Sequence, residues 1–441
     1  MMSVVFYKER IIFLDAAFAV FHIVKDGDLA IQIFRFGDGL ARLFPLAAYG
    51  LRQPLHIIAL LYSIGSVLVY LIPYIICGTV LKQYRLALVI LLANILFVSH
   101  SFYWPTAQVP QAIAYLMLLL SILWDKDLHR PNIALFAVTV ALMITIVFFH
   151  PLMALCFFYA MVFFLIRNMT GINRRTLYTL CILFVTVFLI KNIFFRAEYE
   201  KHSLSGLKNF IKLFPNYFDT YTNRRFLAAI ITKYYWIAII CAIVSVLYLK
   251  NRSYKNLIFF LGTTLGYITL VNTSYPTAET PAFYLEVLYL PLGLFLALPI
   301  IFDVLPAIKE RYAITLMVAI MITGCYRIYA THIPYTERLE MEREFLKKHG
   351  HTKMIAGSQK MDISSLQMLW GTPYEFWLLS TIENGYSASI IIDDTPSQRA
   401  WAAEKNKELI VNWNHFSYQE LDTRYFRFND TISGYKIDPD L

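Results

Sequence analysis

Ten apolar runs, near 55–81, 86–103, 108–124, 132–149, 151–167, 176–196, 227–249, 256–272, 284–305 and 313–331, dominate this chain and leave it few ways to fold. A helix that crosses a bilayer needs roughly 20 mostly apolar residues, somewhat fewer where neighbours shield its ends. Soluble cores cannot absorb so much apolar surface, because larger chains divide into domains that each keep a polar rind. The composition is 58% hydrophobic and 16% charged, against roughly 45–50% and 25% in soluble domains. A soluble enzyme and a disordered chain are therefore both excluded. The expected fold class is an α-helical polytopic membrane protein of about ten transmembrane helices. His150-Pro151 and the Pro105 to Pro110 segment separate the closest pairs of runs, since proline removes a backbone donor and disfavours helix before it. The five cysteines, Cys77, Cys156, Cys181, Cys241 and Cys325, lie inside apolar runs, with neither a disulfide framework nor metal-ligand spacing.

The net charge of +9 would suggest nucleic acid in a soluble protein; here it labels topology. The short connections 82–85, 125–131, 167–175, 250–255 and 306–312 carry twelve Lys and Arg, while 104–107, 150 and 273–283 carry none. Positive loops stay in the cytoplasm. The 197–226 loop, with Lys201, Lys208, Lys212, Arg224 and Arg225, dissents but is too long to vote like a tight turn. This reading gives an integral inner-membrane protein with no nucleic-acid partner and three parts. Residues 1–54 form an extracytoplasmic loop with interfacial helices, 55–333 the helical bundle, and 334–441 a small extracytoplasmic α/β domain. With helix 55–81 ending inside, residues 1–54 lie outside although nothing before them spans. The natural reading frame is therefore expected to begin upstream, with a first helix ahead of Met1. The rival is a poor span over 10–24 with Asp15 facing the bundle interior.

The tail changes character, with 12 basic and 16 acidic residues beyond 333. Lys353 to Gly357 and Ser387 to Asp393 read as strands, and Thr372 to Ile382 and Gln398 to Leu409 as helices.

Four polar clusters fall on the outer side of this topology. The first, over 9–42, contains Glu9, Arg10, Asp15, His22, Asp26, Asp28, Arg35, Asp38 and Arg42 among apolar residues at helical spacing, from Leu29 to Phe44. That pattern suits a helix lying in the interface, with Arg35 and Arg42 snorkelling to headgroups as the plainer explanation. Asp15 stands apart, because a carboxylate inside Ile11-Ile12-Phe13-Leu14-Asp15-Ala16-Ala17-Phe18 has no local need to be charged. The second cluster is His100, Tyr103, Trp104, Gln108 and Gln111, either interfacial belt residues or an aromatic-and-amide platform for a sugar ring. The third is His150, at an outer helix end, where capping competes with binding. The fourth joins Lys191, Arg196 and the 198–226 loop to Lys233, Glu279, Tyr284, Glu286 and Tyr289. Glu286 sits one turn into an apolar helix and calls for a lysine or arginine partner. Cations and acids together at such a rim suit either structural ion pairs or an anionic lipid headgroup bearing phosphate.

This layout resembles the GT-C superfamily of integral-membrane glycosyltransferases, which use polyprenyl-phosphate sugars. The likeness covers residues 9–333: many spans, a long first outer loop with interfacial helices, the Phe13-Leu14-Asp15-Ala16 segment where the family acid falls, and the Tyr103-Trp104 outer loop. The tail corresponds only by position, on the outer side after the last span. The resemblance implies transfer of a sugar from a polyprenyl-phosphate donor to a cell-envelope glycan, lipid or protein acceptor. Asp15 would be the base that deprotonates the acceptor hydroxyl, and Arg35, Lys191, Arg196 or Lys233 would stabilise the departing lipid phosphate. The family's paired acids are represented by Asp15 followed by Ala16, so a second acid would come from Asp26, Asp38 or Glu286. A divalent cation is compatible with the chemistry, although no ligand set with metal spacing is visible. The competing classes are a lipid transporter or flippase and an inactive scaffold with a partner-binding outer domain.

Overall fold

The computed structural model describes residues 1–126, 128, 132–167, 171–195, 198, 206–349, 353–360, 368–392, 404–405 and 407–437. Each of the ten apolar runs carries a helix. Among the described residues, four helices, Leu55–Val80, Arg174–Phe194, Tyr254–Ser274 and Glu310–His349, are long and apolar enough to cross a membrane. The number rises to six if two bent pairs each count as one span: Tyr221–Thr232 with Trp236–Lys250, and Ala282–Tyr289 with Pro291–Ala307. Four more apolar helices, Tyr84–Leu96, Val109–Ile122, Ile133–Phe149 and Met153–Ile166, are shorter. At 13 to 17 residues, they reach about 20–25 Å at 1.5 Å per residue. Packing explains how such short helices persist, since Val109, Ala112, Ile113, Leu116, Met117 and Leu120 are all buried inside the bundle.

Two differences from the sequence reading shape the rest of the molecule. The run 86–103 stops being helical at Leu96, because the backbone at Ser99 and Ser101 turns to donate to Glu286. The run 227–249 is not one helix: it bends by 81° between Thr232 and Trp236, where Lys233 and Tyr234 turn toward the same carboxylate. Residues at or beside three of the basic connections lie close to Phe302 and Asp303. There Arg85 and Trp124 both lie against Phe302, and Arg167 pairs with Asp303.

The first 54 residues differ most from expectation. The 10–24 segment is not a span, because it breaks at Ile12–Phe13 into Tyr7–Ile11 and Leu14–Asp26. The Leu14–Asp26 helix buries Leu14, Ala16, Ala17, Ala19, Val20, Phe21, Ile23 and Val24 in protein. It is sandwiched between the Gly39–Gly50 helix and the C-terminal Thr372–Asn384 helix, with Phe21 edge-on to Tyr374, Trp377 and Phe426. The expected helix through Leu29 and Ile33 is a loop, since Gly27 ends Leu14–Asp26 in a left-handed cap. Arg42 does not snorkel; it is buried.

Beyond Ile333–His349, β1 (Lys353–Ala356) pairs in parallel with β2 (Ser389–Ile392) on one side and with Lys436–Ile437 on the other. Thr372–Asn384 covers this sheet as expected, and a hairpin of β3 (Leu409–Val411) and β4 (Asn414–Phe416) completes the unit. The helix expected over Gln398 to Leu409 falls mostly outside the described residues, and Leu409 itself is in a strand. This unit is fastened to the N-terminal helices by Lys8–Glu383 at 2.7 Å and by the Tyr425 hydroxyl, which donates to the Gln53 carbonyl at 3.1 Å.

Candidate functional site

Asp15 occupies the first turn of Leu14–Asp26, where the helix dipole favours a carboxylate. The residue before it is held in an unusual state. Leu14 has a left-handed φ of 42°, which costs a branched side chain energy and persists only when its surroundings impose it. They do: the Leu14 amide donates to Glu375 Oε1 at 2.6 Å, and Arg338 donates to Glu375 Oε2 at 2.7 and 3.0 Å. Gly371 leaves room for the crossing, since a Cβ there would lie 2.7 Å from Leu14 Cα. Gly371→Ala must therefore push on backbone next to Asp15, at a cost of about 1–3 kcal/mol. It is expected to lower the thermal unfolding midpoint, whereas Gly50→Ala, which meets nothing within 4 Å, leaves it unchanged.

The Asp15 carboxylate is half-buried and accepts the Trp104 indole N–H at 2.9 Å. Burial raises its pKa above the usual carboxylate range. The Trp104 hydrogen bond and the charges of Arg42 and Arg35 oppose that rise, while Asp38 adds to it. Asp38 and Arg42 form a buried ion pair, and Arg42 also donates to the Leu29 and Ala30 carbonyls. Two acids and two arginines thus share one neighbourhood. Of the three candidates for a second acid, Asp38 is the one brought to Asp15.

A cationic wall continues from Arg35. The Phe36–Asp38 turn packs on the Ile133–Phe149 helix so closely that a Cβ on Gly37 would sit 2.4 Å from the Phe149 ring. Arg35 and Lys191 both act electrostatically on His150, the residue after Phe149. Lys191 is buried, with its ammonium donating to the Val147 carbonyl at 3.3 Å and lying 5.7 Å from the Phe148 ring centre. His150 Nδ1 accepts the Leu152 amide at 3.2 Å, so its capping role is real, and its place beside two cations is a second property. Phe34 and Phe36, both exposed, cluster with Phe148 and Phe195 at the mouth of this wall.

Glu286 forms a separate centre. It is buried and accepts from the Ser99 and Ser101 amides at 2.8 Å, from the Ser101 hydroxyl at 2.9 Å and from Tyr234. Lys233 Nζ, 3.5 Å away, supplies the expected basic partner. His100 lies between Ser99 and Ser101 in the chain, with the Tyr335 hydroxyl 3.4 Å from its Nδ1. Between Glu286 and Asp15 stands an aromatic partition in which Trp104 meets Phe283 edge-on at 5.1 Å. Glu286 folds the 99–101 turn that leads to Trp104, so this centre supports the site without facing it.

The remaining candidates are dispersed. Tyr103 is wholly buried and stacked on Tyr335 at 5.0 Å, so it offers no face to a sugar. Gln108 is buried at the start of Val109–Ile122. His22 pairs with Asp26 at 2.7 Å two turns along the helix from Asp15. Glu279 is exposed and accepts only a 3.4 Å contact from Thr277 among the described interactions. Arg196 lies outside the described residues. The sequence reading passed over Arg338, Glu375 and Gly371, which act on Asp15 from the far end of the chain; no spacing signal joins them. Among the described residues, no group of three or more His, Cys, Asp or Glu side chains is arranged to hold a metal ion. No protein-family model, curated protein or solved structure matches the chain.

Proposed function

We propose that this protein is a membrane glycosyltransferase of the GT-C type, with about ten spans and its C-terminal α/β unit outside the cytoplasm. It moves a sugar from a polyprenyl-phosphate donor to a cell-envelope glycan, lipid or protein acceptor. The observation that carries the reading is a half-buried carboxylate, Asp15, within electrostatic range of Arg35 and Arg42, with Arg35 and Lys191 in turn acting on His150 near exposed Phe34 and Phe36. In this mechanism Asp15 takes the proton of the acceptor hydroxyl as its oxygen attacks the anomeric carbon. The bond from that carbon to the phosphate oxygen breaks, and the lipid phosphate leaves with the electron pair. Raised pKa suits the base, because proton transfer is most effective when donor and acceptor are matched near the working pH. Cations held in a low-dielectric wall stabilise the departing phosphate without having to reorganise. Phe34 and Phe36 would receive the first isoprene units.

The test is transfer by the purified chain in lipid nanodiscs, with radiolabelled polyprenyl-phosphate sugars and membrane lipid extract as acceptor. Wild type is expected to release polyprenyl phosphate. Lys191→Met keeps the packed stem and removes the charge, and is expected to lower kcat by about 10²-fold. Donor that stays intact while moving between leaflets would support the transporter reading instead.

A further inference from the structure

One face of the Leu14–Asp26 helix stays open while the rest is buried. Asp15, Phe18, His22 and Lys25 are partly exposed and line one helical stripe. The stripe leads from Asp15 to a pair of tryptophans that no helix or ligand chemistry so far has used. Phe18 meets Trp370 edge-on at 6.3 Å, and Trp370 stacks on Trp413 with centroids 5.0 Å apart and rings inclined by 28°. Trp413 is 63% exposed. It stands in the two-residue turn between β3 and β4 with φ of 69°, a conformation that glycine adopts freely and tryptophan does not. The turn is pinned by the Tyr374 hydroxyl, which donates to the Asn412 carbonyl at 3.1 Å. A large aromatic residue held at an unfavourable φ and left exposed is costly for the fold, and such strain gathers at ligand clamps.

We propose that Trp370 and Trp413 form a stacking platform for a carbohydrate chain, the acceptor glycan, whose end the Phe18–His22 stripe directs to Asp15. The identity of that glycan as acceptor rests on the transferase reading above; the binding of carbohydrate does not. A sugar ring presents apolar C–H faces that pack on indole, and hydroxyls that seek charged or amide partners at its rim. Polar groups lie along the stripe and beside the turn: His22 packs on the Phe18 ring at 4.3 Å and pairs with Asp26, Lys25 lies over the Phe416 ring, and exposed Asn414 directly follows Trp413. Those same charges oppose insertion of the tip into lipid, where each would lose its hydration.

The full chain in nanodiscs, applied to an array of defined hexose, aminosugar and deoxyhexose oligosaccharides, tests this directly. Wild type should bind at least one class. Trp413→Gly and Trp370→Leu should each weaken that binding by about tenfold or more. Gly50→Ala, which meets nothing within 4 Å, should bind as wild type. Trp413→Gly should melt no lower than wild type, since glycine suits the turn, which separates lost binding from lost folding. An array on which wild type binds nothing, or on which Trp413→Gly binds equally well, overturns the proposal. So does quenching of Trp413 fluorescence by brominated lipids without glycan binding, the signature of a membrane anchor. Glycan binding at the platform by a chain that shows no sugar transfer would sink the transferase assignment alone.

Discussion

Asp15→Asn should insert and purify like wild type, yet transfer sugar about 10²–10⁴-fold more slowly, the contribution of a positioned general base. Asparagine preserves the acceptor for the Trp104 N–H, so the 2.9 Å contact and the helix start survive. What is lost is the capacity to take a proton. The pH dependence carries the same information with a definite sign. A base works only when ionised, so wild-type kcat/KM should fall as pH drops through the Asp15 pKa, which burial places above that of an ordinary aspartate. That acidic limb should vanish in Asp15→Asn. Trp104→Phe removes the donor, leaving burial less opposed, and should move the limb to higher pH.

Arg338→Met should be the most destabilising single change in the C-terminal half. Arg338, Glu342 and Glu375 are all buried, with the guanidinium 2.7 Å from Glu375 and 3.5 Å from Glu342. One cation holds two acids. Its removal leaves carboxylates buried and facing each other, a loss of about 3–5 kcal/mol. It also frees Met368, whose carbonyl Arg338 holds at 2.9 Å, and loosens the Glu375 clamp on Leu14. The expected result is a lower thermal midpoint, with proteolysis opening the 333–437 region before the bundle. Adding Glu342→Gln and Glu375→Gln to Arg338→Met should restore part of the loss, since neutral partners cost less than stranded charges. An Arg338→Met protein that melts with wild type would refute the clamp.

The helices were legible where apolar runs meet a breaker. His150-Pro151 parts two helices where proline requires it, and β2 follows from its run of isoleucines. Glu286 was legible as an acid in need of a base, and Lys233 answers it. The bend at Lys233 was not legible, because Tyr234, Tyr235 and Trp236 are apolar enough to continue a run, and only the distant Glu286 turns them aside. Arg42 shows the same limit. A charge among apolar residues looks identical whether it snorkels or is buried, and the difference lies in Asp38 and two carbonyls that no local pattern announces. Asp15 stood out by its surroundings in sequence. Trp104 also stood out, in an aromatic outer loop, but its bond to Asp15 did not, and Glu375 gave no signal, since these residues come from separate parts of the chain.

The decisive measurement is a cryo-EM structure of the full chain in nanodiscs with a non-transferable phosphonate analogue of a polyprenyl-phosphate sugar. The prediction is a phosphonate lodged among Arg35, His150 and Lys191, the sugar beside the Asp15 carboxylate, and the isoprene tail leaving past Phe34 and Phe36. A headgroup seated instead against Lys233 and Glu286, or no analogue beside Asp15 at saturating concentration, would contradict it.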